Sequence, residues 1–192
     1  MDTRNLNIID KLTYVGEFSL ATKSQDNLIQ FNKVLTPKEM SNKQGRIYFF
    51  VEMVDDEITK ILKIGKSSDK SGLNGTIGCY VNALSGTPGQ NRFCMHHMIY
   101  DKLKDGFKIK VYVRFVESIT KMVNGLFSEV EMEIPLDVTY IEQLCLNDYK
   151  ELFGNFPDWN FMERGEKLPI DLMESFGIFI TNKKKSKNTE LI

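Results

Sequence analysis

The sequence predicts an α+β fold with a central, mostly antiparallel sheet flanked by helices. Segments in which apolar and polar residues alternate, as they do in strands, occur at residues 46–53, 58–66 and 107–115. The first two segments are near enough in the chain to pair as a hairpin. Apolar residues at helical spacing come next, so the predicted order is hairpin, helix, helix, strand, strand, helix.

Length and composition favour one domain with a sizeable core, since the chain has 192 residues, of which 42% are hydrophobic. A net charge of -1 excludes a histone-like coat protein, because such a molecule attracts phosphate with its whole surface.

The three cysteines form no C-x-x-C pair, which favours reduced thiols. With no signal peptide and no long uncharged run, we expect a soluble, cytoplasmic protein with no membrane contact.

Residues 1–45 are predicted to be a lead-in that packs on the core. It is expected to contain a short helix near Asn5 to Leu12 and a strand at Leu28 to Leu35. The hairpin follows, with a turn at the acidic stretch 55–57 and a somewhat long loop. Its pairing would place Tyr48 and Lys63 on the same face.

The remaining elements are indicated by apolar spacing and by glycines that end helices. Two helices are predicted at 73–84 and 92–104, followed by two strands at 107–115 and 129–134. A third helix begins at Asp137 or Thr139 and ends at Gly154.

Three motifs follow one another in the chain: Arg46-Ile47-Tyr48, then Lys63-Ile64-Gly65-Lys66-Ser67, then a helix that carries Glu142. This order resembles the GIY-YIG nuclease superfamily, whose name-giving segments read R-I-Y and K-I-G here. The lysine variant looks most like the branch of small Type II restriction endonucleases. The resemblance covers about Gly45 to Asn160, and it implies a nuclease core at 46–160. Aromatic residues and prolines predict a packed C-terminal cover at 161–180, and the lysine run predicts a flexible tail at 181–192.

The resemblance also implies roles for individual residues. Phosphodiester hydrolysis needs an activated water and stabilisation of the charge that develops on the phosphoryl oxygens. Tyr48 would be the general base, with its pKa lowered by Lys63 and Lys66, because a free phenol with a pKa of about 10 is rarely ionised at neutral pH. Glu142 would hold a single divalent ion, and Mg²⁺ suits a site made of oxygen ligands.

The family pattern has an arginine four residues before an aromatic residue or histidine, and Thr76 stands in that place before Tyr80. Thr76 offers no positive charge to a phosphate. Three explanations are open: an engineered inactivating substitution, a natural loss of activity, or replacement by another cation. Arg92 is the candidate replacement, because it repeats the spacing four residues before His96.

Several of these residues also have an ordinary structural interpretation. Thr139 and Glu142 have the spacing of a capping box, which would explain Glu142 without chemistry. Arg92, His96 and His97 are candidates for contact with DNA phosphate, and Arg92 could equally support packing. The two histidines are interpreted as polar groups at the helix edge rather than as a zinc site.

The sequence therefore predicts a divalent-metal-dependent DNA endonuclease, of the Type II restriction kind, that acts on double-stranded DNA. A homodimer is expected because a two-fold protein matches a palindromic site, and a cognate DNA methyltransferase is the expected functional partner. The first alternative is a catalytically silenced DNA-binding protein derived from a nuclease. The second is an interaction domain with a basic hairpin.

Overall fold

The computed structural model describes residue 9 and residues 11–22 and 27–189, with side chains as far as residue 184. It confirms the α+β prediction: a five-stranded antiparallel sheet has the order β2-β1-β5-β3-β4 and carries helices on both faces. The elements are β1 Thr13–Leu20, β2 Ile29–Lys33, α1 Pro37–Met40, β3 Arg46–Val54, β4 Glu57–Ser67, α2 Leu73–Val81, α3 Gln90–Lys104, β5 Lys108–Phe115, β6 Ser118–Asn124, β7 Glu129–Pro135, α4 Val138–Phe153, α5 Phe161–Arg164 and α6 Ile170–Thr189.

Strand β3 is buried on both faces, because α2 and α3 cover one side of the sheet and α4 covers the other. Phe50 belongs to the core under α2 and α3, whereas Ile47 and Phe49 belong to the core under α4. Successive strand residues point to opposite faces, so this one strand contributes to both cores. Tyr48 follows the parity of Phe50 and therefore lies on the face of α2 and α3.

The β3–β4 hairpin is tighter than predicted. Asp55 and Asp56 form its turn with φ angles of 49° and 65°, the left-handed backbone that two-residue hairpin turns require. The expectation of a somewhat long loop is therefore wrong. A bulge follows in β4: Phe50 pairs with Lys63 and Val51 pairs with Ile61, which leaves Leu62 as the extra residue.

The lead-in completes the sheet rather than merely packing on it. β2 matches the predicted strand, and the unpredicted β1 joins it to β5. The helix expected near Asn5 to Leu12 lies largely outside the described residues. Where the structure does describe that stretch, Ile9 is buried in the core under α4.

Strands β6 and β7 form a separate two-stranded hairpin, which we call the ribbon. The strand predicted at 129–134 is confirmed as β7, but its partner β6 was not predicted. Leu126 and Phe127 at the ribbon tip are 87% and 95% exposed.

The boundary predicted between a cover and a flexible tail, at residues 180 and 181, falls inside α6. Phe176 and Phe179 of this helix pack on Phe93 of α3, with ring centroids 5.4 and 5.1 Å apart. Across the described part of the chain, no helix combines the length and apolar character needed to cross a bilayer.

Candidate active site

The position of Tyr48 depends on a glycine in the neighbouring strand. Tyr48 on β3 pairs with Gly65 on β4. A Cβ atom built on Gly65 would overlap the Tyr48 hydroxyl group. The glycine of the K-I-G motif is therefore needed because the phenol ring lies over the backbone of β4.

The Tyr48 hydroxyl is hydrogen-bonded to the Tyr80 hydroxyl of α2, with the two oxygens 2.6 Å apart. The two residues are only 6% and 7% exposed. Burial raises the pKa of Tyr48 far above its ordinary value, because the phenolate loses its hydration. The lowered pKa expected from Lys63 and Lys66 is thus wrong, since desolvation by burial is the largest effect on the Tyr48 pKa and raises it.

A cavity of about 350 Å³ opens beside this pair of phenols. Tyr48 and Lys63 both line it, which confirms that they share a face, and Arg92 of α3 lines it as well. Burial lowers the pKa of Lys63, while the charges of Glu163 and Glu142 act in the opposite direction. The cavity therefore brings the two phenols together with the cationic side chains of Lys63 and Arg92, and Glu163 and Glu166 line it as well.

Glu142 projects from α4 towards the end of β4, where its Oε2 atom accepts a hydrogen bond from Lys66 Nζ at 2.7 Å. The cap of α4 is Asp137, whose side chain accepts from the Thr139 N–H at 2.7 Å. Thr139 therefore does not form a capping box, and that interpretation of Glu142 is wrong. The negative charge of Glu142 contributes to raising the pKa of Tyr48, although Glu142 belongs to α4 and Tyr48 lies on the opposite face of the sheet, under α2 and α3.

A lone carboxylate is a sparse metal site, and in the described residues no cluster of three or more His, Cys, Asp or Glu side chains has metal-binding geometry. The donor set still fits Mg²⁺, which commonly binds one or two carboxylates and takes its other ligands from water and phosphate oxygens. The side chain of Glu142 is 15% exposed and thus partly open to solvent.

Thr76 does not leave a gap in α2. Its hydroxyl donates to Ser67 Oγ at 2.8 Å, and it receives a hydrogen bond from Arg46 Nη1 at 3.4 Å. Arg46 is fully buried, at 0% exposure. The structure thus brings a guanidinium group to helix position 76 from the neighbouring strand, whereas Arg92 brings its cation to the cavity.

The two histidines differ in their surroundings. His96 is fully buried: its Nε2 accepts from the Leu28 N–H at 3.2 Å, so Nδ1 carries the proton and donates to the Tyr80 carbonyl at 2.8 Å. Both ring nitrogens are engaged inside the protein, which contradicts the expected DNA contact and gives His96 a structural role. His97 is half-buried, with its ring 4.5 Å from the ring of Phe93.

Asn160 is a site residue that sequence reasoning did not identify. Its side-chain amide accepts from the Ile64 N–H at 2.9 Å and donates to the Ile64 carbonyl at 2.8 Å. The preceding Trp159 N–H donates to the carbonyl of the bulged Leu62 at 2.8 Å. These bonds fix the backbone on both sides of Lys63, and the nearest sequence signal was a polar residue inside an aromatic stretch.

Neither a protein-family model nor a curated protein sequence matches the chain. Among solved structures, a mutant of EndoII from bacteriophage T4 is similar to it, with 19% identity, a TM-score of 0.50, and coverage of 83% of this chain and 99% of that chain. The restriction endonuclease HPY188I in complex with product DNA has 17% identity, a TM-score of 0.43, and coverage of 82% of this chain and 84% of that chain. The likeness to EndoII shows that the two chains share a fold.

Proposed function

We propose that this protein is a DNA endonuclease of the GIY-YIG type, similar to the small Type II restriction enzymes, and that it depends on a divalent metal ion. The observation that supports this most is the cavity, where Tyr48, Lys63 and Arg92 meet. The ion pair of Glu142 and Lys66 lies at the end of β4, on the face of the sheet that α4 covers. A phenol, several cations and a carboxylate are the groups that phosphodiester hydrolysis requires.

The cationic groups would bind the scissile phosphate and stabilise the charge that develops on its oxygens. Lys63 and Arg92 would act from the cavity, and Lys66 would act from the end of β4. Glu142 would hold Mg²⁺, which supplies positive charge to the phosphoryl and leaving oxygens when it is bound. Lys66 would then exchange its bond with Glu142 for a phosphate contact.

Tyr48 would take the proton of the attacking water. That water forms the new P–O bond while the bond between phosphorus and the leaving oxygen breaks. Because burial raises the pKa of Tyr48, its phenol holds a proton at neutral pH and must first give this proton to hydroxide or buffer base from the solvent. The hydrogen bond with Tyr80 at 2.6 Å would keep the oxygen in place through this change.

The substrate would be double-stranded DNA, and two copies of the chain would cut a palindromic site, one strand each. A restriction enzyme of this kind would work beside a DNA methyltransferase that protects the same site.

A second candidate function is a silenced DNA-binding protein. Two observations favour it: Tyr48 is buried and protonated, and Thr76 replaces the arginine that the resemblance implied. Such a protein would retain the cationic groups for binding but would not cut.

Incubation with plasmid DNA and Mg²⁺ separates the two functions. We expect discrete fragments from the unaltered protein, none after chelation of the metal, and none from the Tyr48→Phe variant. Tyr100→Phe is a matched control, since Tyr100 lies on α3 and does not line the cavity. DNA binding without cleavage by the unaltered protein would support the silenced form, and absence of DNA binding at low salt would refute both.

A further inference from the structure

We infer that Arg46 is a positioning residue, which aligns α2 with β3 through Thr76 so that the phenols of Tyr48 and Tyr80 meet. The inference rests on the proposed role of Tyr48 in cleavage. It starts from two side-chain bonds that connect the same strand to the same helix: Arg46 to Thr76, and Tyr48 to Tyr80.

The spacing of the four residues places these two bonds side by side between β3 and α2. Arg46 and Tyr48 are two residues apart on one face of β3, a separation of about 7 Å along a strand. Thr76 and Tyr80 are four residues apart on one face of α2, about 6 Å along a helix. Because the two separations nearly match, a shift of α2 along β3 that breaks one hydrogen bond also misaligns the other.

The guanidinium of Arg46 is bound to three different segments of the chain. Nε donates to the Gln44 carbonyl at 2.9 Å, Nη2 donates to the Asp69 carbonyl at 3.2 Å, and Nη1 reaches Thr76. The planar fork of arginine can address several acceptors in fixed directions, which a lysine ammonium on its flexible stem does not reproduce. Arg46 therefore joins the start of β3, the loop after β4 and the first turns of α2.

Stability alone does not account for this arrangement. Among the described residues no carboxylate forms an ion pair with Arg46, although its side chain is completely buried. Burial lowers the pKa of Arg46 and the charge of Asp69 opposes this effect, yet apolar replacements of buried ionic groups are often neutral or stabilising. The guanidinium instead fixes the position of α2 on β3 through its directional hydrogen bonds.

Thr76 is the partner of Arg46 in the first of these bonds, and its side chain must be small enough for the buried space between β3 and α2. The hydroxyl shares its single proton between Ser67 Oγ at 2.8 Å and the Gly72 carbonyl at 3.1 Å, and it accepts from Arg46. A Thr76→Arg substitution would press a second guanidinium against the first in a buried space. We therefore expect this substitution to damage the protein, not to restore a missing catalytic arginine.

The test uses Arg46→Met, which removes the donors while keeping apolar bulk, and Thr76→Val, which removes the hydroxyl at nearly constant shape. One readout is the NMR resonance of the hydroxyl proton shared by Tyr48 and Tyr80, assigned by its loss in Tyr80→Phe. We expect both variants to shift or lose this resonance, and Thr76→Ser to keep it. An unchanged resonance in a folded Arg46→Met or Thr76→Val protein would overturn the inference.

The second readout is plasmid cleavage. A displacement of about 1 Å at a reacting group can lower the rate about 100-fold, so we expect a fall of that size in kcat with KM for DNA nearly unchanged. Arg114→Met is the matched control, because Arg114 is exposed and, as the cross-strand partner of Ile47, lies on the face of the sheet away from α2. A rise in KM with kcat intact would assign Arg46 to DNA binding and refute positioning. If the unaltered protein cuts no DNA, the proposed function fails, while the resonance still decides the role of Arg46.

Discussion

At the scale of single residues, the proton on Tyr48 controls the proposed chemistry. Burial raises the pKa of its phenol, so below that pKa the phenolate fraction increases tenfold with each pH unit. We expect the logarithm of the single-turnover cleavage rate to rise with a slope of about one between about pH 6 and about pH 9. A plateau near neutral pH would show that another group, or a Tyr48 with a lowered pKa, is the base.

The contact between Tyr48 and Gly65 gives a second prediction. In Gly65→Ala, the new methyl group would overlap the Tyr48 hydroxyl and force the ring away from Tyr80. Overpacking of this kind costs about 1–3 kcal/mol, and we expect the free energy of unfolding in urea to fall by that amount. We also expect cleavage to slow about 100-fold, because the phenol is displaced.

Gly86→Ala is the matched control for this substitution, since a Cβ at Gly86 would meet open space. Equal cleavage rates for the Gly65→Ala and Gly86→Ala variants would contradict the proposed role of the Tyr48 position.

Some residues of the candidate site could be predicted from the sequence and others could not. The period of two along the hairpin strands correctly placed Tyr48 and Lys63 on one face. The burial of His96 depends on the Leu28 N–H, which comes from a segment 68 residues away. The contact of Arg46 with Thr76 spans 30 residues and depends on how a helix docks on a strand, so no local pattern predicts it.

At the scale of elements, the segment after α4 holds β4 in place. Asn160 replaces sheet pairing at the edge strand by bonding both the N–H and the carbonyl of Ile64. Asn160→Ala would leave these two buried backbone groups without partners, at a cost of about 1–3 kcal/mol each. We expect the free energy of unfolding to fall by about 2–5 kcal/mol in urea denaturation.

The matched control for Asn160 is Asn147→Ala, because Asn147 is exposed on α4. Its side chain accepts one hydrogen bond, from Gln143 at 3.0 Å. We expect a change within about 0.5 kcal/mol for this surface substitution. A similar small change for Asn160→Ala would show that water replaces the lost bonds and that the segment does not support β4.

The elements that could be predicted are those whose own apolar pattern is strong. β3, β4, β5, α2 and α3 all appear close to their expected bounds. β1 was missed because Gly16 and Glu17 weaken its strand pattern, and its stability comes from pairing with β2 and β5. No helix was predicted at α6, and its last turns carry a lysine run that resembles a solvated terminus.

At the scale of the whole molecule, charge is nearly balanced, at a net of -1. The ribbon carries Glu129, Glu131 and Glu133 against Lys121, which makes it an unfavourable surface for DNA. Attraction to phosphate must then come from a local set of cations, of which the cavity residues Lys63 and Arg92 are the best placed. A protein of this kind should bind DNA with a modest dependence on salt.

Arg92→Gln tests this expectation directly. Each phosphate contact contributes about 0.9 to the slope of log affinity against log salt concentration, so losing one contact should reduce the slope by about one. Fluorescence anisotropy with a duplex at several salt concentrations measures it, with Lys108→Gln as control, because Lys108 pairs with Asp56 near the hairpin turn. An unchanged slope in Arg92→Gln would remove Arg92 from the DNA surface and leave Lys63 and Lys66 as the candidate phosphate ligands.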